Sequence, residues 1–505
     1  MKFLLAFAAG AFALILPTSA PPRPLEHPGL YRFNYENILG TSMELKIGAS
    51  SLPKAEAAEA KALTEIDRLS KILSTWDNDS EVSRWEKTSG QPVHVSPELF
   101  EVLSLFDRWR NSTGGALDPS AEVITRLWKQ AEKDGRLPSP EERAAALRLV
   151  QQPHWRLNRE EHTATHLSTA PLVLSSFTKS YIAGRAADAV LATGNAESVV
   201  VNIGGDLVVR GAWSEPVDIA NPKADAENDP PIAEFAVRDR TVATSGSYRR
   251  GVAIGGTHYS HIVDPRTGMP CEKVLSSTVI ARDPTDAGAM ATAFSVLSPD
   301  ESSKVAAAVP GTEFLLVMND GRRITSPGWG ALLAAEPQAP NSHARPGGPV
   351  LWDPSFELVI GVELARLDAR ARRPYMAVWI EDKDKFPVRT VALWYNKDEF
   401  LHELRAWHRD DKLRSMAGGP DISHSISSAT RPAGKYTLKW DGKDDAGKYV
   451  RPGGYTVFLE AVREHGGYDL LHQEMDFSGV PKTAQMNGTS EVVAVSLDYK
   501  KATAP

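Results

Sequence analysis

Between residues 55 and 73 the apolar positions Ala58, Ala62, Ile66, Leu69 and Leu73 recur every three or four residues, the spacing of an amphipathic helix with one face toward a core. Residues 77–85 read as a polar turn with a second short helix. Residues 97–109 return to helical spacing through Leu99, Val102, Leu103 and Phe106 behind Pro97, and 120–133 and 140–149 continue it after the Gly114-Gly115 turn. At Leu172 the pattern changes. The run Pro171-Leu172-Val173-Leu174 leads into a helix over 179–191, and short apolar strands then alternate with glycine turns as far as Cys271. A helix with an alanine-rich face over 286–297 and a buried strand over 313–318, closed by Asn319-Asp320-Gly321, complete a region of mixed α+β character.

Residues 336–349 carry four prolines and no periodicity, which makes them a linker. Beyond it, runs at 356–363, 375–381, 390–395, 434–440, 454–464 and 491–498 alternate between turn residues and predict an all-β sandwich. The expected organisation is a leader over 1–20, an α+β domain over 30–335, the linker, and a sandwich domain over 350–500. Trp379, Trp394, Trp407 and Trp440 are expected in the sandwich core. The run Asp441 to Gly447 departs from a calcium loop at its third and sixth positions and reads as a hairpin turn.

With 505 residues, 42% hydrophobic and 24% charged, the chain has the proportions of a globular protein long enough for two or three domains. A net charge of −7 supplies no basic field for nucleic acid, and nucleic acid is not expected as a partner. Lys2, the apolar run from Phe3 to Leu16 and the small residues before Ala20 have the layout of a secretory signal. Pro21 stands just after the cleavage site, so two outcomes stay open, a cleaved signal or a retained N-terminal membrane anchor. Either places the chain outside the cytoplasm, in the periplasm or on the inner membrane facing it. The single cysteine, Cys271, excludes an intramolecular disulfide and a thiolate cluster and reads as a buried small residue.

Chemistry concentrates in His258 to Gly268, where two histidines, Asp264 and Arg266 surround a turn set by Pro265. Asn202 to Asp206 and Thr244 to Tyr248 are strands that run into glycines, whose bare backbone lets a phosphate or a flat ring approach.

Taken together, six separated segments resemble the ApbE family, the FAD:protein FMN transferases, across about Phe33 to Trp329. They are Leu39-Gly40-Thr41-Ser42-Met43, Ser74 to Trp76 with Asp79 to Arg84, Thr113-Gly114-Gly115-Ala116-Leu117-Asp118-Pro119, Asn202 to Asp206, Thr244 to Tyr248, and His261-Ile262-Val263-Asp264-Pro265-Arg266-Thr267-Gly268. The resemblance implies that FAD binds with a divalent cation, Mg²⁺, at its diphosphate, and that a Ser or Thr hydroxyl of an exported acceptor protein displaces AMP and takes FMN. It implies His261 as general base or phosphate ligand, with Asp264 orienting it or fixing the turn. Thr41, Met43, Gly115, Lys179, Gly204, Gly205, Ser245, Gly246, Thr267 and Gly268 would line the flavin dinucleotide. Asp118 and Asp206 would contact it or cap turns, and His258 would be an ordinary strand residue.

Two segments depart from the family, both at the implied metal site. Where the family has an acidic, glycine-rich stretch before its Lys-Gly, this chain has Val173-Leu174-Ser175-Ser176-Phe177-Thr178-Lys179-Ser180, leaving the Thr178 carbonyl as the metal ligand. Where the family has an Asp four residues before a Thr, the chain has Gly288 before Thr292. Asp286 is the nearest replacement, but two residues turn a regular helix by about 200° and aim it elsewhere. Asp283 and Asp286 are also natural helix caps. Two functions follow: an active transferase with a weak or rearranged metal site, and a flavin-binding protein without transfer whose sandwich binds a partner. The C-terminal region resembles the periplasmic DUF2271 domain through Pro374 to Trp379, Val391 to Trp394 and Trp440 to Tyr455, a likeness that names no chemistry. No internal copy of the family's acceptor pattern stands out.

Overall fold

The computed structural model describes residues 29–247, 251–333, 351–366, 372–396, 398–416, 427–428, 430–463 and 466–502. The leader, Tyr248 and the 336–349 linker lie outside them. An eight-stranded antiparallel sheet organises the N-terminal region, in the spatial order Gly29–Ile38, Thr41–Ala49, Ser198–Ile203, Asp206–Gly211, Thr241–Gly246, Val274–Ala281, Glu313–Met318 and Arg323–Thr325. The helices in chain order are α1 (Leu52–Leu73), α2 (Glu81–Glu86), α3 (Pro97–Ser112), α4 (Glu122–Asp134), α5 (Pro140–Val150), α6 (Thr178–Ala192), α7 (Pro284–Phe294), α8 (Pro299–Ala307), α9 (Trp329–Leu333) and α10 (Arg405–Met416).

The central strands are buried at most positions, on both sides of the pleat, because both faces of the sheet are covered. Val199, Val201, Ile203, Val208, Ala243, Val279, Phe314 and Leu316 face a core shared with α1, α3, α6 and α7. The alternate positions Val200, Leu207, Val209, Val242, Ile280, Leu315 and Val317 face a second cluster closed by Phe235 and Trp329. In α1 the buried positions are Ala55, Ala58, Ala62, Ile66, Leu69 and Leu73, the stripe the spacing predicts. α7 is buried almost all round, at Ala287, Gly288, Ala289, Met290, Ala291, Ala293 and Phe294, which fits its place between the sheet and α6.

A separate cluster joins α4 and α5 to two short hairpins, Gly251–Ile254 with Thr257–Ser260 and Val263–Asp264 with Met269–Pro270. Tyr259 packs on Trp128 at 5.0 Å between ring centroids, and Trp128 Nε1 donates to the Gly268 carbonyl at 3.0 Å. These contacts fix the hairpin that carries His261 and Asp264 to a two-helix platform.

The C-terminal region is a sandwich of a four-stranded and a five-stranded sheet. Trp379, Trp394, Trp407 and Trp440 are all buried, but only Trp394 and Trp440 lie in the sandwich core; Trp379 and Trp407 lie in the cluster beneath α10. The Asp441 to Gly447 segment is a turn whose carboxylates accept from its own N–H groups, Lys443 to Asp441 and Ala446 and Lys448 to Asp444. The strands Tyr468–Asp476 and Lys482–Asn487 and the helix α10 add to the predicted set. α10 covers the outer face of the five-stranded sheet through Ala406 and Trp407.

Candidate functional site

The sheet register brings Gly204-Gly205 and Ser245-Gly246 to one end of neighbouring strands, since Ile203 pairs with Asp206 and Gly246 with Ser276. Gly204 and Gly205 both have positive φ, 61° and 97°, which glycine adopts without strain. A side chain at Gly204 would also meet Thr41, whose Cγ2 lies 2.7 Å from the position of an added Cβ. Thr41 thus stands beside the glycine turn. Met43 is different, because its side chain is wholly inside the core and only its backbone could meet a ligand.

Against this end of the sheet sits the start of α6. Its N-cap is Phe177, whose side chain makes no capping hydrogen bond, and among the described residues no other side chain caps its first N–H groups. An uncapped helix N-terminus, with Lys179 in its first turn, is a natural seat for phosphate oxygens. Thr178 spends its hydroxyl on the Leu174 carbonyl at 2.7 Å. Ser180 donates to Asp206 at 2.8 Å. Burial pushes the Asp206 carboxyl up, and Lys179 nearby opposes that shift.

The face of α7 that carries Gly288 and Thr292 lies on the same loop. Thr292 donates to the Ser176 carbonyl at 2.9 Å and approaches Ser245 Oγ at 3.4 Å. A Cβ added to Gly288 would overlap Ser180 Oγ and stand 3.0 Å from Ser180 Cβ and 3.3 Å from Phe177 Cα. Ser180 therefore fills the space that a larger residue at 288 would need. Asp286 does not replace the missing carboxylate: Arg108 engages it in an ion pair, and its N–H donates to the N-cap Asp283 at 3.0 Å.

A divalent cation takes hard oxygen ligands, with at least one carboxylate to offset its charge. Here the Thr292 hydroxyl is turned to Ser176, Asp286 to Arg108, and Gly288 offers nothing. Among the described residues no three His, Cys, Asp or Glu side chains are grouped to hold a metal ion. The residues present do not fit the cation that the resemblance implies.

The remaining expected residues belong to the hairpin side. Asp264 accepts from the backbone N–H of Arg266 at 2.8 Å and from its guanidinium at 3.0 Å, so it fixes the turn. Arg266 also reaches Glu301 at 3.1 Å, and its Cγ is 3.7 Å from where a Cβ on Gly115 would stand. Arg266 thus ties the hairpin to both the start of α8 and the glycine turn. Asp118 is buried, accepts from the Ser120 N–H and hydroxyl, and pairs with Arg110 at 2.8 Å, a turn-capping set of contacts. Gly268 faces Leu147 on α5, and Thr267 and His261 are exposed at the rim. Cys271 is half-buried, with its thiol pushed up to about 12 by burial.

Sequence reasoning missed Ser180 as the partner of Gly288, Arg108 as the partner of Asp286, and Arg266 as the strut of the hairpin. The first two depend on contacts across more than a hundred residues. Arg266 was signalled by its place in the motif.

The ApbE family model matches residues 39–316, and the model for the predicted periplasmic protein DUF2271 matches residues 357–494. The FAD:protein FMN transferase of Klebsiella pneumoniae is 27% identical over 319 residues, which cover 60% of this chain and 89% of the relative. That of Vibrio cholerae is 31% identical over 299 residues, covering 56% of this chain and 88% of the relative. The ApbE protein of Thermotoga maritima superposes with a TM-score of 0.54 at 26% identity, covering 60% of this chain and 99% of that one. The apo form of the Pseudomonas stutzeri flavinyl transferase ApbE shares the fold, with a TM-score of 0.51 at 23% identity, covering 62% of this chain and all of that one. No helix among the described residues is long and apolar enough to cross a membrane. With more than half of its length matched by one family model and that region folded as its solved relatives are, the chain belongs to the ApbE family.

Proposed function

We propose that the protein is an FAD:protein FMN transferase that moves FMN from FAD to a Ser or Thr hydroxyl of an exported acceptor and releases AMP. The observation that carries this reading is the uncapped N-terminus of α6, with Lys179, set against the glycine turns at Gly204-Gly205 and Ser245-Gly246. Free N–H groups and one lysine offer the diphosphate its hydrogen bonds and part of its neutralising charge. Because Gly288, Ser180 and the Arg108–Asp286 pair do not fit a divalent cation, these groups carry that task by themselves. Thr41, Gly115, Thr267 and Gly268 lie on the turns that would border the dinucleotide. The chemical units would be the 30–335 domain for transfer and the 350–500 sandwich for partner contact, and the periplasm is the compartment that the DUF2271 match favours.

In the transfer step the acceptor oxygen attacks the phosphorus on the riboflavin side of FAD. The new phosphoester bond forms as the bond from that phosphorus to the bridging oxygen breaks, and AMP leaves with that oxygen. The hydroxyl proton passes to the His261 imidazole, on a hairpin held by Asp264 and Arg266. Incubation with FAD and a family acceptor protein tests the reading: AMP released in step with flavin bound to the acceptor is the expected result. FAD bound with neither product would establish the second reading, a flavin-binding protein without transfer, which the Ser180–Gly288 arrangement favours.

A further inference from the structure

At the other end of the same sheet, four arginines meet. Arg210 is the last residue but one of the strand that begins at Asp206, Arg240 precedes the strand that ends at Ser245-Gly246, and Arg282 follows the strand that pairs Ser276 with Gly246. Thr241 to Gly246 spans five residue steps, so the two ends are about 17 Å apart. Arg210, Arg238, Arg240 and Arg282, with Asp239, line a cavity of about 350 Å³.

Those four charges are poorly matched by the protein itself. Among the described residues the Arg238 and Arg282 guanidiniums make no hydrogen bond or ion pair. Arg240 donates to the Gly311 carbonyl at 3.0 Å, and Arg210 to the carbonyls of Val209 at 3.1 Å and Arg282 at 3.3 Å. Among the described residues the one ion pair in the group is Arg210 with Asp188 at 3.9 Å, and Asp188 is 65% exposed. Asp239 sits in the turn with a φ of 51° and pairs with none of them. Four like charges gathered with only Asp239 in the lining and one long pair to Asp188 repel one another, and an anion placed among them relieves the repulsion. Guanidinium groups in planar forks match phosphate oxygens in pairs.

We propose that this cavity is a second anion site, separate from the flavin end, that takes a phosphate- or diphosphate-bearing anion. The bearer is either a soluble phosphate compound or the headgroup of an anionic phospholipid. The site does not rest on the flavin reading, since none of its residues belongs to that end.

Inorganic pyrophosphate is titrated calorimetrically into the full chain at low ionic strength with saturating FAD, and vesicles of phosphatidylglycerol or of phosphatidylcholine are co-sedimented with it. The expected result is that Arg238→Gln/Arg282→Gln weakens pyrophosphate binding at least tenfold, or abolishes sedimentation with phosphatidylglycerol vesicles alone. The first identifies a soluble anion and the second a headgroup. Both side chains are exposed and, among the described residues, unbonded, so the variant should fold, and an unchanged melting temperature checks this. Arg238→Lys/Arg282→Lys should show intermediate binding, because charge is kept and the forks are lost. Equal binding of both probes by wild type and the glutamine variant overturns the proposal, as does the absence of binding to either.

Discussion

A Cβ on Gly288 would overlap the hydroxyl of Ser180, so these two positions hold a single side-chain volume between them. Ser180 holds it now and uses it to bond Asp206. Gly288→Asp alone is therefore expected to destabilise the protein by about 1–3 kcal/mol, the usual cost of overpacking, with the loss read as a lowered midpoint in urea. Ser180→Gly/Gly288→Asp frees the space and should recover much of that stability. It should also gain a melting temperature that rises with Mg²⁺, a response the wild type is expected to lack, and a double variant indifferent to Mg²⁺ would show that the exchange at these two positions is not what removed the ligand set. His261→Ala should leave FAD affinity unchanged and reduce AMP release by about 100-fold or more, the scale of a lost general base. His261 and the turn at Asp264 stood out in the motif, because a histidine beside a Pro-set turn announces itself, but the bonds by which Arg266 locks Asp264 did not. The Ser180–Gly288 relation was not, since no local pattern tells that two residues 108 positions apart share one space.

α2 ends on Glu86, whose carboxyl is pushed up to about 7 by burial, while a hydrogen bond at Leu172 and the charge of Arg126 oppose the shift. Its Oε1 is buried without a hydrogen-bond partner. In the unfolded chain a glutamate titrates near 4.3. The folded state thus holds a proton that the unfolded state has released, and stability present at acid pH is lost as pH rises toward and through about 7. Glu86→Gln should leave the unfolding free energy unchanged near pH 4 and raise it above pH 7 by roughly 1–2 kcal/mol after screening of this half-buried group, read from urea midpoints at the two pH values. An equal effect at both pH values would place the cost elsewhere. The helices of the N-terminal region were legible because their stripes are plain, as in α1. α10 was hidden because its buried face includes Asp410 and Arg414. The strand Tyr468–Asp476 was hidden because it is an edge strand that buries little beyond Asp469 and Met475.

The two regions of the molecule meet through polar contacts. Asn228 donates to the Lys439 carbonyl at 2.7 Å and accepts from its N–H at 2.8 Å, so a side chain of the N-terminal region pairs with the edge strand of the sandwich as a neighbouring strand would. The Glu227 N–H adds a bond to Thr437 at 2.8 Å, and Arg373 and Asn396 converge on Glu36 at 3.2 and 2.9 Å. Two backbone groups lose their partner in Asn228→Ala, which should cost about 1–3 kcal/mol of docking. Faster hydrogen exchange in the strand Gly434–Trp440, with the core of the N-terminal sheet unaffected, is the expected signature. The existence of two regions was visible from the proline-rich linker and the change of period. Their contact was not, because it is made by loop side chains and the edge strands Gly29–Ile38 and Gly434–Trp440.

The most direct test of this account titrates FAD into the full chain in Mg²⁺ and again in EDTA, with AMP release followed in the presence of an acceptor protein. Equal affinity in both solutions, with AMP released as flavin appears on the acceptor, is the predicted result. FAD binding that requires Mg²⁺ would contradict the metal-free seat at the start of α6, and no FAD binding in either solution would contradict the flavin site itself.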